Sequence, residues 1–148
     1  MNSEPRVLIV ESNDILRVML FTVLRHQPIA VDTAASAEEA LKRATSCDYA
    51  LIVVDTDMSE AVEFLTRFRA DRPEATTFII AVRDGRSDAF LDPEIVSAVL
   101  SKPLEIDTLA ELVRECAFVV PPPEDPLNCP PSESELRMKM ERGPYIAN

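Results

Sequence analysis

Short strand-type segments alternate along this chain with segments that have helical periodicity, and this alternation constrains the fold more than any other feature. The strand-type segments are 7–10, 29–33, 49–54, 77–82 and 97–100. Apolar positions at helical spacing mark 14–25, 36–46, 60–70 and 106–116. Strands separated by helices predict a parallel sheet, because each parallel connection needs a crossover. We therefore predict an α/β, doubly wound fold with a five-stranded parallel sheet and helices on both faces.

Local signals refine the helices of this prediction. Ser36 followed by Glu39 is a capping box, which indicates that the second helix begins there. Ser59 is expected to cap the third helix. The connection between the last two strands is short and contains Gly85 and Pro93, neither of which favours a helix interior. We therefore predict that the fourth helix is short or irregular.

Proline placement divides the chain into two unequal parts. Five of the 12 prolines lie in residues 1–120 and seven in 121–148. Closely spaced prolines cannot continue a helix or a central strand. We therefore predict a folded domain at 1–118 and a Pro-rich C-terminal extension at 119–148. The extension carries a short helix at 134–142, most simply a solvated one, with a docking role as the alternative.

Composition excludes several classes of function. The chain has 15 basic and 26 acidic residues and a net charge of −11, which argues against nucleic-acid binding. No apolar run approaches a membrane span and no secretory signal is recognisable, so we expect a cytoplasmic protein without membrane contact. The two glycines leave no glycine-rich nucleotide loop. Three cysteines without a C-x-x-C pair, and one histidine, favour reduced structural thiols over a zinc site.

Charged residues directly follow three of the strand-type segments. Glu11 follows the first, Asp55 and Asp57 follow the third, and Lys102 follows the last. The carboxyl ends of parallel strands meet at one edge of a sheet, where such folds bind ligands. A buried carboxylate is costly without a counter-charge, and Mg²⁺ prefers oxygen ligands. These four residues therefore predict a site for a metal and a phosphoryl group, with Lys102 as the point charge.

Residues 5–118 resemble the receiver domain of response regulators in these motifs. The resemblance implies a flavodoxin-like sheet of strand order 2-1-3-4-5, with Asp55 as phosphoacceptor. It implies that Glu11, Asp55 and Asp57 hold Mg²⁺, Asp57 through its main-chain carbonyl. It further implies that Lys102 senses the phosphate and that Pro103 follows a cis peptide bond.

The function implied by this resemblance is that of a stand-alone receiver domain and not of an enzyme. Asp55 would accept a phosphoryl group from a histidine kinase or a phosphotransfer protein in a two-component system. The domain would then signal through contacts with an unknown downstream protein. The sequence leaves open the kinase, the pathway, the oligomeric state, homodimerisation included, and the role of the Pro-rich tail.

Three positions depart from the receiver pattern. Ser12 stands where a second aspartate is usual, and a hydroxyl is a weaker Mg²⁺ ligand than a carboxylate. Arg83 stands where a serine or threonine is usual, and it could clamp a phosphate or pair with Asp55. Val99 replaces the aromatic residue of the last strand. We therefore expect a weakened metal site and an altered phosphate sensor.

Two alternative functions remain open on the sequence. The first is a pseudo-receiver, an interaction module that acts without phosphorylation, which predicts an ion pair between Asp55 and Arg83. The second, more remote, is a D-x-D phosphatase with Asp55 as nucleophile and Asp57 as acid and base. Motif order speaks against the phosphatase, because a D-x-D motif of that type normally opens its domain.

Overall fold

A computed structural model of the protein describes residues 4–146 and contains, within that range, five strands and five helices. In chain order these are β1 (Arg6–Val10), α1 (Asp14–Leu24), β2 (Ala30–Ala34), α2 (Ala37–Ser46), β3 (Leu51–Asp55), α3 (Ala61–Asp71), β4 (Phe78–Asp84), β5 (Ala98–Lys102), α4 (Ile106–Val119) and α5 (Glu133–Ile146). All neighbouring strands are parallel and their order is β2-β1-β3-β4-β5. The predicted fold class and strand order are confirmed.

Apolar side chains cover both faces of the sheet. On β1, Leu8 and Val10 face the layer of α2 and α3, while Val7 and Ile9 face α1 and α4. Residues of β3 alternate in the same way, which is why the central strands are continuous apolar runs. Full burial of each such side chain stabilises the fold by roughly 1.5–3 kcal/mol. The central strands therefore hold their carboxyl ends in fixed positions.

The capping residue predicted for α2 is confirmed, and the one predicted for α3 is not. The Ser36 hydroxyl accepts a hydrogen bond from the Glu39 N–H, as the capping box predicts. The prediction that Ser59 caps the third helix is wrong. The residue before α3 is Glu60, whose side chain makes no capping bond and whose φ is 63°. A left-handed conformation costs a residue with a Cβ roughly 1–2 kcal/mol.

The segment between β4 and β5, where the sequence predicts a short or irregular fourth helix, consists of turns and loop and contains no regular helix. The Asp92 carbonyl accepts hydrogen bonds from the Ile95 and Val96 N–H groups, which closes one turn. Val96 is buried against the core cluster that includes α2 and α3, and Leu91 and Ile95 pack beside it. This loop does not extend over β5, so Val99 remains 43% exposed. The sheet is therefore open on one face at its β5 edge.

The C-terminal helix α5 packs against β2, which is the opposite edge of the sheet. The Val31 N–H donates to Ser134 Oγ at 2.8 Å and the Thr33 N–H donates to Glu133 Oε1 at 2.8 Å. These side chains satisfy donors that an edge strand otherwise exposes. The helix is longer than the predicted 134–142, because it begins at Glu133 and continues to Ile146. The side chains of 135–142 are exposed. Residues 1–3 and 147–148 of the predicted ranges lie outside the described residues.

A buried charged network fastens α5 to the sheet. Asp32 is 0% exposed, and its carboxylate accepts from Arg6 at 2.7 Å, from the Tyr49 hydroxyl at 2.6 Å and from the Glu133 N–H at 2.9 Å. Arg43 lies 3.8 Å from the same carboxylate. Burial, and then the Asp32 charge, raise the pKa of Tyr49. The network therefore joins β1, β2, α2 and the C-terminal segment.

Among residues 4–146, no helix combines the length and the apolar character that crossing a membrane requires.

Candidate functional site

One ammonium group bridges two carboxylates at the carboxyl edge of the sheet. Lys102 at the end of β5 places Nζ 3.0 Å from Asp55 Oδ1 and 3.0 Å from Asp57 Oδ2. Burial lowers the pKa of Lys102, but the hydrogen bonds and charges of the two aspartates outweigh it and the pKa is raised. Lys102 is therefore a fixed positive charge between β3 and β5.

Asp55 is buried at the end of β3, with 8% of its surface exposed. Its Oδ1 accepts hydrogen bonds from the Asp57 N–H at 2.9 Å and from Lys102. Two donors on one oxygen fix the orientation of the carboxylate. The side chain is thereby oriented before any ligand binds, which is what nucleophilic chemistry at this position requires.

Asp57 is held ionised by two donors. Desolvation would raise the pKa of Asp57, but the Lys102 ammonium and the Asp84 N–H, at 2.8 Å, lower it. A carboxyl group with a lowered pKa is a poor proton donor near neutral pH. This environment argues against Asp57 as the general acid of a phosphatase.

Glu11 follows β1 and is 7% exposed. Burial is the largest cause that raises the pKa of Glu11; the N–H of Asn13, at 3.0 Å from Oε2, opposes it, and the contact with Asp55 raises the pKa further. Lys102 thus pairs with Asp55 and Asp57, and Glu11 lies beside Asp55 without a direct contact to the ammonium. When all three carboxylates are ionised, the cluster carries two uncompensated negative charges, which favours a cation.

The donor set at this edge is compatible with Mg²⁺ bound through two carboxylates and water. Glu11 and Asp55 supply hard oxygen ligands, and one or two carboxylates are the usual protein contribution to a Mg²⁺ site. Ser12 is exposed and the Asp57 side chain is occupied by Lys102. In the part of the chain that the structure describes, no three His, Cys, Asp or Glu side chains form a group that could hold a metal ion.

The side chain of Arg83 makes no hydrogen bond or ion pair with the cluster of Asp55, Asp57 and Lys102. Its Nη1 donates to the Ala89 carbonyl at 2.6 Å, and within residues 4–146 it makes no ion pair with Asp55. The ion pair expected for a pseudo-receiver is therefore not formed. Arg83 still contributes, as the last of several causes, to the lowered pKa of Asp57.

Asp84 also contributes to the site, and no sequence pattern indicates it. The predicted fourth strand ended at residue 82, but β4 continues to Asp84 and places that residue's N–H on Asp57. The residues that extend β4 beyond position 82 are polar, so they show no alternation of apolar and polar residues that would predict a strand. They are strand residues because they pair with β5.

The Lys102–Pro103 peptide bond is cis.

An apolar cavity of about 300 Å³ adjoins the cluster. Its wall contains Leu16 and Leu20 of α1 and Leu109 of α4, and it reaches Glu11 and Asp55. Most of the lining is apolar, so Glu11 and Asp55 meet few polar side chains on this side.

Comparisons with known proteins identify the family of this chain. A family model described as the response regulator receiver domain matches residues 7–114. No curated protein sequence matches the chain.

Many solved structures share the fold, and three of them are representative. A CheY-like receiver domain protein from Methanospirillum hungatei is 21% identical, with a TM-score of 0.65 over 79% of this chain and 96% of that chain. The chemotaxis response regulator CheY4 of Vibrio cholerae is 24% identical, with a TM-score of 0.63 over 77% and 99%. The response regulator TrrA from Thermotoga maritima, in complex with Mg²⁺ and BeF, is 26% identical, with a TM-score of 0.64 over 76% and 98%.

The family model spans well over half of the chain. The matched residues include the cluster around Asp55 and Lys102 and all five strands, except for Arg6 at the start of β1. The protein therefore belongs to the response regulator receiver domain family, a family of two-component signalling.

Proposed function

We propose that Asp55 accepts a phosphoryl group from a histidine kinase or a phosphotransfer protein. The observation that most supports this role is the Lys102 ammonium, 3.0 Å from both Asp55 and Asp57. Catalysis of phosphoryl transfer depends on positioning and on neutralising charge, and this cluster does both before a substrate arrives.

The proposed chemistry is a displacement at phosphorus. A carboxylate oxygen of Asp55 attacks the phosphorus of a phosphohistidine that is protonated on its other ring nitrogen. The phosphorus–nitrogen bond breaks, its electron pair stays on the histidine nitrogen, and an aspartyl phosphate and a neutral histidine result. Lys102 then donates to a phosphoryl oxygen, which changes its contacts with Asp57. Lys102 is thus the residue that senses the modification.

The proposal includes a bound Mg²⁺ held by Glu11 and Asp55, with the Asp57 main-chain carbonyl as a further ligand. When bound, the ion neutralises charge on the phosphoryl oxygens. The position of Glu11 beside Asp55 supports a cation here, because ionised Glu11 adds negative charge that Lys102 does not balance. Ser12 contributes less than a second carboxylate would, so the affinity is expected to be lower than in receivers that have an acidic pair.

An exposed apolar patch on α1 offers the phosphodonor a surface beside the site. Ile15 and Val18 are 71% and 58% exposed, and Met19 is 45% exposed. Leu16 of the same helix lines the cavity that reaches Asp55. Contiguous exposed apolar side chains mark interaction surfaces. We therefore assign this patch to the kinase or phosphotransfer protein.

The remaining parts of the proposal concern the organisation of the chain. Residues 1–118 form the receiver unit and 119–148 an extension attached to it. Output passes through contacts with a downstream protein, or through a homodimer, without a catalytic step. The proposal includes the cytoplasmic location expected from the sequence.

Binding of beryllofluoride in the presence of Mg²⁺ tests the proposal. Isothermal titration calorimetry of the full chain is expected to give saturable binding for the wild type and none for Asp55→Asn. Asp71→Asn is the matched control, because Asp71 makes only an exposed ion pair with Arg67. Equal behaviour of wild type and Asp55→Asn would favour the pseudo-receiver alternative instead.

A further inference from the structure

The segment between α4 and α5 is anchored to the domain at two points. The Leu127 N–H donates to Asp48 Oδ2 at 2.6 Å, and the Pro130 carbonyl accepts from Arg6 Nη1 at 2.7 Å. Asp48 is itself held by Arg72 at 2.6 Å. Cys129 lies between these two anchors, so its backbone position is fixed from both sides.

Two cysteines that are far apart in sequence meet at this segment. Cys47 is the C-cap of α2 and is 4% exposed. Cys129 packs against the core cluster that contains Cys47, and its Sγ donates to the carbonyl of Ser46, the residue before Cys47, at 3.6 Å. Burial, and next the contact with the Cys129 thiol, raise the pKa of Cys47 to about 12. Cys129 therefore lies beside the C-terminal end of α2, where Cys47 is, and both thiols are free in this structure.

We propose that Cys47 and Cys129 are a redox-active pair that forms a reversible disulfide between α2 and the C-terminal segment. The inference is independent of phosphorylation at Asp55. A reducing environment keeps such thiols free, so the bridge would form when small-molecule disulfides accumulate. The third cysteine, Cys116, packs in the other core cluster, on the opposite face of the sheet.

The bridge forms by two thiol–disulfide exchanges with a small disulfide such as oxidised glutathione. Cys129, the more exposed of the two, loses its proton and attacks one sulfur, which gives a mixed disulfide and releases one glutathione thiolate. Cys47 then loses its proton and attacks the Cys129 sulfur, which forms the protein disulfide and releases the second glutathione. The two cysteines lose two electrons and two protons, and the oxidised glutathione becomes two reduced molecules.

The consequence concerns the docking of α5. Only non-covalent contacts now hold Ser134 and Glu133 on the edge of β2. A disulfide at Cys129 would tether the chain three residues before the buried Ser132 and so oppose release of the helix. The oxidised protein would therefore keep the β2 edge covered under conditions in which the reduced protein exposes it.

Oxidation of the full chain with oxidised glutathione tests the pair. Wild type and the control variant Cys116→Ser are expected to lose two hydrogen atoms in intact mass, with a proteolytic fragment that joins Cys47 to Cys129. Dithiothreitol should reverse both changes. Cys129→Ser should form no intrachain bridge. The Tm of the oxidised wild type should rise, on the order of 10 °C, because the bridge closes a long loop, and that of Cys129→Ser should not.

Three results would overturn the inference. The first is a stable mixed disulfide on Cys129 that never resolves in the wild type. The second is a bridge that involves Cys116 or a second chain. The third is an intrachain bridge that forms only in urea, which would show that the folded protein does not bring the two sulfurs together.

Discussion

Replacing Asp32 with asparagine removes the central charge of the network that fastens α5 to the sheet. The Asp32 carboxylate accepts hydrogen bonds from Arg6, the Tyr49 hydroxyl and the Glu133 N–H, all within 2.9 Å. Asparagine keeps the shape and one acceptor oxygen. Its amide group, however, presents hydrogen atoms to donors, and Arg6 loses its counter-charge.

The expected loss of stability is about 3 kcal/mol. Removal of one partner from a buried ion pair costs about 3–5 kcal/mol, because the other charge is left uncompensated. The Arg6 side chain is 13% exposed, whereas that of Asp32 is 1% exposed. Arg6 can therefore regain some hydration in the variant, which places the loss at the lower end of the range.

Urea unfolding of the full chain measures this loss. With a slope of about 1–3 kcal/mol per molar urea, the midpoint should fall by about 1–3 M without a change of slope. Hydrogen exchange should accelerate at the Val31 and Thr33 amides, which donate to side chains of α5. Exchange in β3 should accelerate only as far as the loss of global stability requires, because its strand partners are unchanged.

Asp71→Asn supplies the matched control. Asp71 pairs with Arg67 at 3.5 Å, and the two side chains are 40% and 68% exposed. An exposed pair of this kind contributes about 0.5 kcal/mol or less. Equal midpoints for Asp32→Asn and Asp71→Asn would refute the reasoning, as would unchanged exchange at Val31 and Thr33.

Three further substitutions probe the site, the edge of the sheet and the core. Burial and Asp55 raise the pKa of Glu11 in the folded state, so ionisation of Glu11 destabilises the folded wild type as pH rises above 4.5. Glu11→Gln should therefore equal the wild type in stability below pH 4.5 and be more stable than the wild type at higher pH. Ser134→Ala leaves the buried Val31 N–H without its acceptor and should cost about 1–3 kcal/mol in urea unfolding. Phe68→Ala removes a ring that is 1% exposed and should cost about 3–5 kcal/mol in the same assay.

Each of these three substitutions has a control variant or a result that would contradict the prediction. A stability difference for Glu11→Gln that does not vary with pH would contradict the raised pKa of Glu11. Thr45→Ala removes an exposed hydroxyl that bonds within α2, and its effect should be small beside that of Ser134→Ala. A loss from Phe68→Ala no larger than that from Thr45→Ala would show that the ring is not packed as described.

The sheet and most of the site could be predicted because their signals are local. Apolar runs at β1, β3 and β4 identify strands that are buried on both faces. The carboxyl ends of parallel strands share one edge, so charged residues that follow the strands are neighbours in space. Glu11, Asp55, Asp57 and Lys102 follow three of the strand segments and are therefore predicted to be neighbours.

The docking of α5 could not be predicted because its contacts are long-range and polar. Ser134 and the Val31 N–H are 103 residues apart, and a side chain that bonds to a strand backbone leaves no periodic pattern. Asp32 offered a signal, as a charged residue inside a strand segment. Its partners Arg6 and Tyr49, however, belong to other segments, and only the strand order brings them together.

Arg83 illustrates how a strand that ends two residues later than predicted changes a site. The sequence placed Arg83 directly after an apolar run, in position to reach Asp55. In the structure β4 continues through Arg83 to Asp84. The Asp84 N–H donates to Asp57, while Arg83 donates to the Ala89 carbonyl.

Phosphorylation of Asp55 is the central claim, and intact-mass measurement after incubation with acetyl phosphate and Mg²⁺ tests it most directly. The wild type and Asp71→Asn are expected to gain the mass of one phosphoryl group, which chelation of Mg²⁺ prevents and which fragmentation assigns to Asp55. Asp55→Asn is expected to gain none. A wild type that gains no mass, or an Asp55→Asn variant that gains as much as the wild type, would contradict the claim.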